Sequence, residues 1–211
     1  LWPQITTKLY IDQTGDMDLL NREVPYFKDR QVMRGEAFDP EWSEEEGALQ
    51  RAAGGEVYRG SILEHLLIQQ LAAFYDVGEH NIYRLRGADW NDALDMAEER
   101  GESVAFTCAY AGNLLDLAGL LRQLAEGQDT VELLAELQEL LVDGPEVYED
   151  ISHKTAVLER YARRCIHEVS GQTITVSLAA LAENLEGKAH WLMEHIRRQE
   201  WIRDGESGWF N

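Results

Sequence analysis

Apolar residues recur every three or four positions along most of the chain, the spacing that places them on one face of a helix. Only "QTITVS" is a strand candidate, and it is short. Helices joined by glycine-containing loops predict an all-α fold. The helices are predicted over "PQITTKLYIDQTGD", "SILEHLLIQQLAAFY", "SVAFTCAYAGNLLDLAGLLRQLAEG", "DTVELLAELQELLVDG", "YEDISHKTAVLERYARRCIHEVSG" and "SLAALAENLEGKAHWLMEHIRRQEW".

Residues with helix-capping chemistry stand at several of the predicted ends. Ser61 with Glu64, and Asp129 with Glu132, have the spacing of a capping box. Ser103 is the expected cap of the helix that begins at "SVAF". Gly15 suits the left-handed conformation that often ends a helix. The helix that begins after Ser61 is apolar nearly all round, so we expect it to be buried.

Two stretches lack the helical period. Residues 25–55 are polar and acidic, and an excursion of this length in a compact domain is usually functional or disordered. The final "DGESGWFN" is predicted to be a loop-like tail.

The charge balance narrows the partners that the chain can have. The 211 residues include 39 acidic and 19 basic ones, for a formal charge of -20. Nucleic acid and anionic membrane surfaces attract clustered lysines and arginines, so neither is an expected partner. No apolar run approaches the roughly 20 residues of a membrane span. The chain begins at Leu1 rather than Met, which predicts a trimmed or partial sequence.

The cysteines and histidines offer little support for a metal or redox site. Cys108 and Cys165 lie in apolar helical patterns, which predicts buried thiols in a reducing compartment, and we expect a cytoplasmic protein. His190 and His195 are five residues apart, not the four that would place both on one helical face. The six histidines are therefore predicted to be ordinary surface or core residues, and no metal is expected.

The stretch "RLRGADWNDALDMAEERGES" concentrates sugar-binding chemistry. Trp90 offers an apolar plate for a pyranose ring, and Asn91 can satisfy sugar hydroxyls. A carboxylic acid such as Asp89 or Asp92, held beside an aromatic wall, can keep its proton near neutral pH and protonate a glycosidic oxygen. The residue types alone suit a helix-capping loop with a core-packed tryptophan equally well.

"RLRGADWNDALDM", followed by "RGES", resembles the D-W-N-D segment of the inverting phosphorylases in family 94 of the glycoside hydrolases. The strings "YIDQTGDMDLLNREVPYF", "VYRGSILEHLLIQQLAAFYDVGEHN" and "GWFN" resemble segments before and after it in that family. The stretch from "GEHN" to "SVAF" is most similar to the β-1,2-oligoglucan phosphorylases.

This resemblance implies a role for each residue of the segment. Asp92 is implied to be the general acid, and Trp90 to line the sugar site beside the scissile bond. Asp89 is implied to be a structural or hydroxyl-binding neighbour. The substrate-binding residues are expected to be Trp90, Asp89, Asn91, Arg86 and Glu102. Inorganic phosphate, as co-substrate, takes the place of the catalytic base and its water, so one protein carboxyl suffices and no cofactor is expected.

The resemblance also implies an (α/α)6 barrel, of which residues 1–211 would be one part. Family members run to several hundred residues and carry an N-terminal β-sandwich, and their phosphate ligands have no matching motif here. We therefore expect a fragment of the catalytic domain, without the sandwich and the remaining barrel helices, that is inactive by itself. For the full-length enzyme, a homodimer is left as an alternative to a monomer.

The substrates implied are a β-linked glucooligosaccharide, β-1,2 in the leading interpretation, and phosphate. The product would be α-glucose 1-phosphate. Cellobiose or cellodextrin phosphorylase and a module of cyclic β-1,2-glucan synthase are the alternatives within related proteins. A helical sugar-binding domain without turnover is the alternative from another class.

Overall fold

The structure, a computed structural model, describes residues 1–32, 37–86 and 100–211. Within these residues, 3-10 helices lie at Met17–Asn21, Glu44–Glu46 and Ala135–Leu141. The helices are α1 (Trp2–Thr14), α2 (Ile62–Tyr75), α3 (Val104–Leu124), α4 (Pro145–Glu149), α5 (Ile151–Cys165) and α6 (Leu178–Gln199). The strands are β1 (Glu23–Pro25), β2 (Gln31–Val32), β3 (Ala37–Phe38), β4 (Arg59–Ser61), β5 (Thr130–Leu134), β6 (Thr173–Ser177), β7 (Trp201–Asp204) and β8 (Ser207–Phe210).

The fold is mainly helical, but it also contains short strands, so the all-α prediction holds only in part. Among the described residues the strands form antiparallel pairs, β1 with β4, β2 with β3, β5 with β6 and β7 with β8. The β1–β4 pair joins the two ends of the 25–55 excursion, and the short β2–β3 pair lies within it. The (α/α)6 barrel stays a prediction.

The capping residues bound the helices as expected in most cases. The Ser61 hydroxyl accepts from the Glu64 N–H at 3.1 Å and begins α2. The Ser103 hydroxyl accepts from the Phe106 N–H, also at 3.1 Å, and begins α3. Gly15 ends α1 with φ of 71°, in the left-handed region that costs glycine little. These local predictions are confirmed.

The Glu64 side chain does not complete the predicted capping box. Its carboxylate, in a residue only 2% exposed, accepts from the hydroxyls of Tyr26 at 2.8 Å and Tyr58 at 3.0 Å. It also accepts from the backbone N–H of Leu134 at 2.6 Å. A buried carboxylate needs several donors to offset its lost hydration. Glu64 therefore ties the start of α2 to β5 and the excursion.

The segment "DTVELLAELQELLVDG" is not the helix that its pattern predicted. Its first half is β5, where Val131 and Leu133 face the core while Glu132 faces outward. Glu132 accepts from the hydroxyls of Thr173 and Thr175 on β6, so it pairs across strands and does not cap a helix. Alternating "TVELL" fits a half-buried strand as well as a helical face, and pairing with β6 decides the outcome.

The tail is also more ordered than predicted. Residues 201–210 form the β7–β8 hairpin, with Trp201 opposite Phe210 and their ring centroids 4.9 Å apart. Gly205 supplies the turn with φ of 60°. A Cβ on Gly208 would lie 2.4 Å from the Trp201 ring, so the indole covers this strand only because glycine stands there.

The core forms where α3 lies along α6 and both meet α2. Leu114, Leu117 and Leu121 of α3, with Leu181 and Leu185 of α6, are at most 1% exposed. By length and composition α3 would also suit a membrane span, so the expectation that no apolar run approaches that length does not hold. In this fold its most apolar side is buried against α6, as in the core helix of a globular protein.

Two fully buried lysines sit inside an aromatic enclosure between α2, α5 and α6. The Lys154 ammonium lies 4.2 Å from the Phe74 ring centroid and 4.1 Å from that of Trp191. It donates to Asn81 Oδ1 at 2.9 Å. Lys188 donates to the Val142 carbonyl at 2.8 Å. Burial lowers the pKa of each lysine to about 7, against opposing attraction from nearby carboxylates.

Candidate functional site

The predicted acid and its neighbours fall in residues 87–99, outside the described part of the chain. The roles of Asp89, Trp90, Asn91 and Asp92 therefore stay predictions. Arg86 and Glu102, the other two predicted substrate-binding residues, are described and lie on either side of that segment.

The described residues on either side of 87–99 are hydrogen bonded to each other. The Leu85 N–H donates to the Gly101 carbonyl at 2.8 Å, and the Ser103 N–H donates to the Tyr83 carbonyl at 3.0 Å. A bridge between Arg84 and Glu102 lies between these bonds. Residues 83–85 and 101–103 therefore lie side by side, between the end of α2 and the start of α3.

Arg86 forms a bidentate ion pair with Asp76, the residue that follows α2. Its Nε lies 2.9 Å from Asp76 Oδ2, and its Nη2 lies 2.7 Å from Asp76 Oδ1. The Asp76 side chain is 3% exposed, so this pair is screened little by solvent. Arg86 also has φ of 45°, the left-handed region where non-glycine residues are uncommon. The geometry assigns Arg86 a part in directing the chain, and a sugar contact stays a prediction.

Glu102 uses both carboxylate oxygens on backbone N–H groups of the turn at residues 78–82. Oε1 accepts from His80 N–H at 3.1 Å and from Ile82 N–H at 3.3 Å, and Oε2 accepts from His80 N–H at 3.0 Å. Carboxylates that accept from backbone donors make strong, charge-assisted bonds. Glu102 thus fixes a neighbouring turn, a role that its place in "RGES" did not suggest.

A histidine and a buried glutamate, which sequence reasoning did not select, complete this cluster. His80 Nδ1 donates to Glu200 Oε1 at 2.8 Å, and Glu200, just after α6, is 1% exposed. The other Glu200 oxygen accepts from Asn211 Nδ2 at 3.2 Å. The hydrogen bond from Glu200 and its negative charge raise the pKa of His80 above its ordinary value. The partners are 120 residues apart, so no local pattern could have paired them.

These groups line a polar cavity of about 390 Å³ beside the ends of the 87–99 segment. Its carboxylates repel anions, and its arginine, Arg100, pairs with Glu79. Hydroxyl-rich neutral ligands suit such a lining better than phosphate does. The lining residues are Glu79, His80, Ile82, Arg100, Glu102, Val104, Glu200 and Asn211.

Two further cavities have mainly apolar linings. One of about 260 Å³ includes Asp76 and Arg86 in its lining, and one of about 390 Å³ includes Phe27 and Tyr58. Both are lined by Tyr161 and Cys165 of α5. Burial raises the pKa of the Cys165 thiol to about 12, which keeps it protonated and unreactive at neutral pH.

Within residues 1–32, 37–86 and 100–211, no group of three or more metal-ligating side chains comes together. The rings of several histidines contact protein oxygens, as in the contact of His195 Nε2 with the His80 carbonyl at 2.8 Å. The chemistry available to the described cluster is hydrogen bonding and proton handling.

No family model matches the chain. The chain is similar to solabiose phosphorylase from Paenibacillus borealis, with 27% identity over 139 residues. That match covers 65% of this chain and 14% of the relative, so the chain spans a small part of the length of the protein it matches. The similarity supports a relationship to the glycoside phosphorylases, the class that the D-W-N-D segment resembles.

Proposed function

We propose that the chain is part of the catalytic domain of an inverting glycoside phosphorylase that cleaves a β-linked glucooligosaccharide, β-1,2 in the leading case. Two observations together support this proposal, the "DWND" segment at residues 89–92 and the similarity to solabiose phosphorylase. The matched relative supports phosphorolysis in general. The linkage rests on the resemblance of the sequence alone.

In the proposed step, Asp92 gives its proton to the glycosidic oxygen as the bond to the anomeric carbon breaks. A phosphate oxygen attacks that carbon from the opposite face, which yields α-glucose 1-phosphate and an oligosaccharide shortened by one unit. Phosphate is the nucleophile, so no protein base and no cofactor are needed. Trp90, Asn91 and Asp89 would hold the sugar, with Arg86 and Glu102 at the flanks of the segment.

The phosphate would be bound by groups that other parts of the full-length protein supply. Among the described residues near the site, Arg86 pairs with Asp76 and Arg100 pairs with Glu79. The surrounding carboxylates make this flank of the site unfavourable for a dianion. The sugar and the proton donor are therefore the contributions proposed for this chain.

The first test is phosphate dependence in the full-length protein. Solabiose, cellobiose and a β-1,2-glucooligosaccharide are each incubated with and without inorganic phosphate, and the products are identified by NMR. We expect α-glucose 1-phosphate from the β-1,2 substrate only when phosphate is present. Free glucose at a comparable rate without phosphate would identify a hydrolase, and binding of sugar without turnover would identify the non-catalytic alternative.

The second test addresses Asp92. Asp92→Asn keeps the shape of the side chain but removes its proton, and phosphorolysis should fall by about 10²- to 10⁴-fold, the usual contribution of a general acid. A melting curve of the variant separates lost chemistry from lost folding. Near wild-type turnover would remove Asp92 from the role.

The 211-residue chain by itself should show no phosphorolysis and should associate in solution. It exposes large apolar side chains, among them Trp2 at 71% and Phe27 at 73%, and exposed apolar patches favour association. Size-exclusion chromatography of the isolated chain checks this. A well-behaved monomer with measurable turnover would contradict the proposal that other parts of a longer protein complete the site.

A further inference from the structure

Gln70 lies in α2 with its side-chain amide buried in the core. The residue is 0% exposed, and neither Oε1 nor Nε2 has a hydrogen-bond partner within the described parts of the chain. The amide carries two N–H donors and an oxygen that can accept twice, and burial without partners is unfavourable because this hydration is lost. Buried polar groups of this kind are usually paired with protein or with an ordered water.

The amide lies at a small, largely enclosed cavity between α2, α3 and α6. The volume of the cavity is about 10 Å³. A single water molecule needs a cavity of about 10–15 Å³, whereas a sugar or another organic ligand needs far more space. Most of the lining is apolar, with Phe74 from α2, Leu114 from α3 and Leu192 from α6. By size, the cavity suits one water.

Thr107 of α3 brings a second polar group to the same cavity. The residue is 1% exposed, and its hydroxyl accepts from the Tyr83 N–H at 2.9 Å and donates to the Ser103 carbonyl at 2.6 Å. A hydroxyl oxygen has two acceptor lone pairs, so one of them can still accept a hydrogen bond. The cavity therefore offers a donor on one helix and an acceptor on the next.

We propose that this cavity binds one internal water molecule, which accepts a hydrogen bond from the Gln70 amide and donates one to the Thr107 hydroxyl. The water joins α2 to α3 inside the core. Through Thr107 the link extends to the Tyr83 N–H, where residues 83–85 lie beside residues 101–103. The inference concerns the core of the chain and does not depend on the proposed phosphorolysis.

The polar groups separate this cavity from a simple packing void. A small cavity lined only by leucine and phenylalanine stays dry, because a water inside it would lose its hydrogen bonds. A buried water needs two to four polar partners, and Gln70 and Thr107 supply at least two. The described lining residues include no charged side chain, so an ion would lie there without compensation. Water is therefore the ligand whose size and chemistry fit.

The first measurement is a crystal structure of the full-length protein at a resolution that shows ordered water. We expect a water oxygen about 2.7–3.2 Å from Gln70 Nε2 and about 2.5–3.0 Å from Thr107 Oγ1. A dry cavity would overturn the inference. A direct hydrogen bond from the Gln70 amide to another protein group would overturn it as well.

Gln70→Met gives a second measurement, in which the sign of the change decides. Methionine keeps the length of the side chain and removes both polar atoms of the amide. If the water is bound, the variant loses it, and the α2 amides should exchange with solvent about 3- to 10-fold faster, the size expected for one lost hydrogen bond. If the amide has no partner, its removal relieves an unfavourable burial, and exchange should slow or stay unchanged. Either of these results would contradict the proposal.

Gln50→Met is the matched control. Gln50 is also buried, at 8% exposure, but its Nε2 donates directly to the Cys165 carbonyl at 3.2 Å. It is not among the described residues that line the Gln70 cavity. The water should persist in Gln50→Met and be absent from Gln70→Met in crystal structures of the two variants. A water that stays in Gln70→Met, or that disappears in Gln50→Met, would count against Gln70 as its ligand. If Gln70→Met does not fold, the structure of the parent still decides.

Discussion

His80 and Asn81 are neighbours in one turn, yet their side chains meet opposite electrostatic environments. His80 faces the carboxylate of Glu200, and that charge raises the pKa of the imidazole. Asn81 faces the ammonium of Lys154, which is held by neutral oxygen and aromatic rings and has its pKa lowered to about 7 by burial. A cation beside a buried carboxylate is stabilised as an ion, whereas a cation enclosed by rings and amides is driven toward its neutral form.

The largest effect is expected when the Lys154 side chain is removed from the aromatic enclosure. Lys154→Ala removes a fully buried side chain between Phe74 and Trp191 and the bond to Asn81, so local stability should fall by about 2–5 kcal/mol. Hydrogen exchange of α5 and of the turn in the full-length protein measures the change. Lys154→Met keeps the volume and should cost less. Equal losses in the two variants would show that the ammonium, and not its packing, holds the enclosure together.

The pH dependence of stability separates the lysine enclosure from the histidine contact. The folded pKa of Lys154 and Lys188 is about 7, below the ordinary 10.5, so the unfolded chain binds more protons between those values. Stability should therefore rise with pH, by at most about 2 kcal/mol for each lysine from pH 7 to 9, since each pKa unit is worth about 1.36 kcal/mol. Exchange rates at α5 and α6, corrected for intrinsic pH dependence, report this rise, which Lys154→Met should reduce. A flat profile would mean that both lysines stay charged in the fold.

The smallest expected effect comes from His80 and has the opposite sign. Its folded pKa lies above 6.5, so its contribution is fully present below pH 6.5 and is lost as the pH rises through the folded value. The side chain is 55% exposed, so solvent screening should hold the effect below about 1 kcal/mol. Exchange at the Ile82 amide between pH 5.5 and 8 measures it, with His80→Gln as the variant that should show no such trend. If the parent and His80→Gln show the same dependence of exchange on pH, the contact between His80 and Glu200 is not its cause.

Local patterns were sufficient where the physics is local. Ser61, Ser103 and Gly15 bound helices as predicted, because an N-cap hydroxyl or a left-handed glycine acts on backbone groups a few residues away. "QTITVS" was found as a strand for the same reason, since its β-branched residues favour extended backbone. The predictions failed at β5 and in the tail, where short segments of mixed character depend on a partner strand.

In the candidate site, too, the sequence supplied the local chemistry but not the contacts between distant residues. The motif at residues 89–92 supplied a chemical hypothesis from sequence alone, and it remains a prediction. The roles of its flanks came only from the fold, because Arg86 meets Asp76 across ten residues and Glu102 meets the turn across about twenty. No spacing rule selects such pairs.

By itself, the sequence determined that most of the chain is helical, where several helices begin, and which residues are candidates for sugar chemistry. Each of these depends on side-chain type and on the short-range period of the backbone. Only the tertiary structure decided that Glu64 turns inward to Tyr26 and Tyr58, that two lysines are buried among aromatic rings, and that His80 meets Glu200. The reason is that the energy of a buried charge is set by the groups that surround it in space, and those groups come from distant parts of the chain.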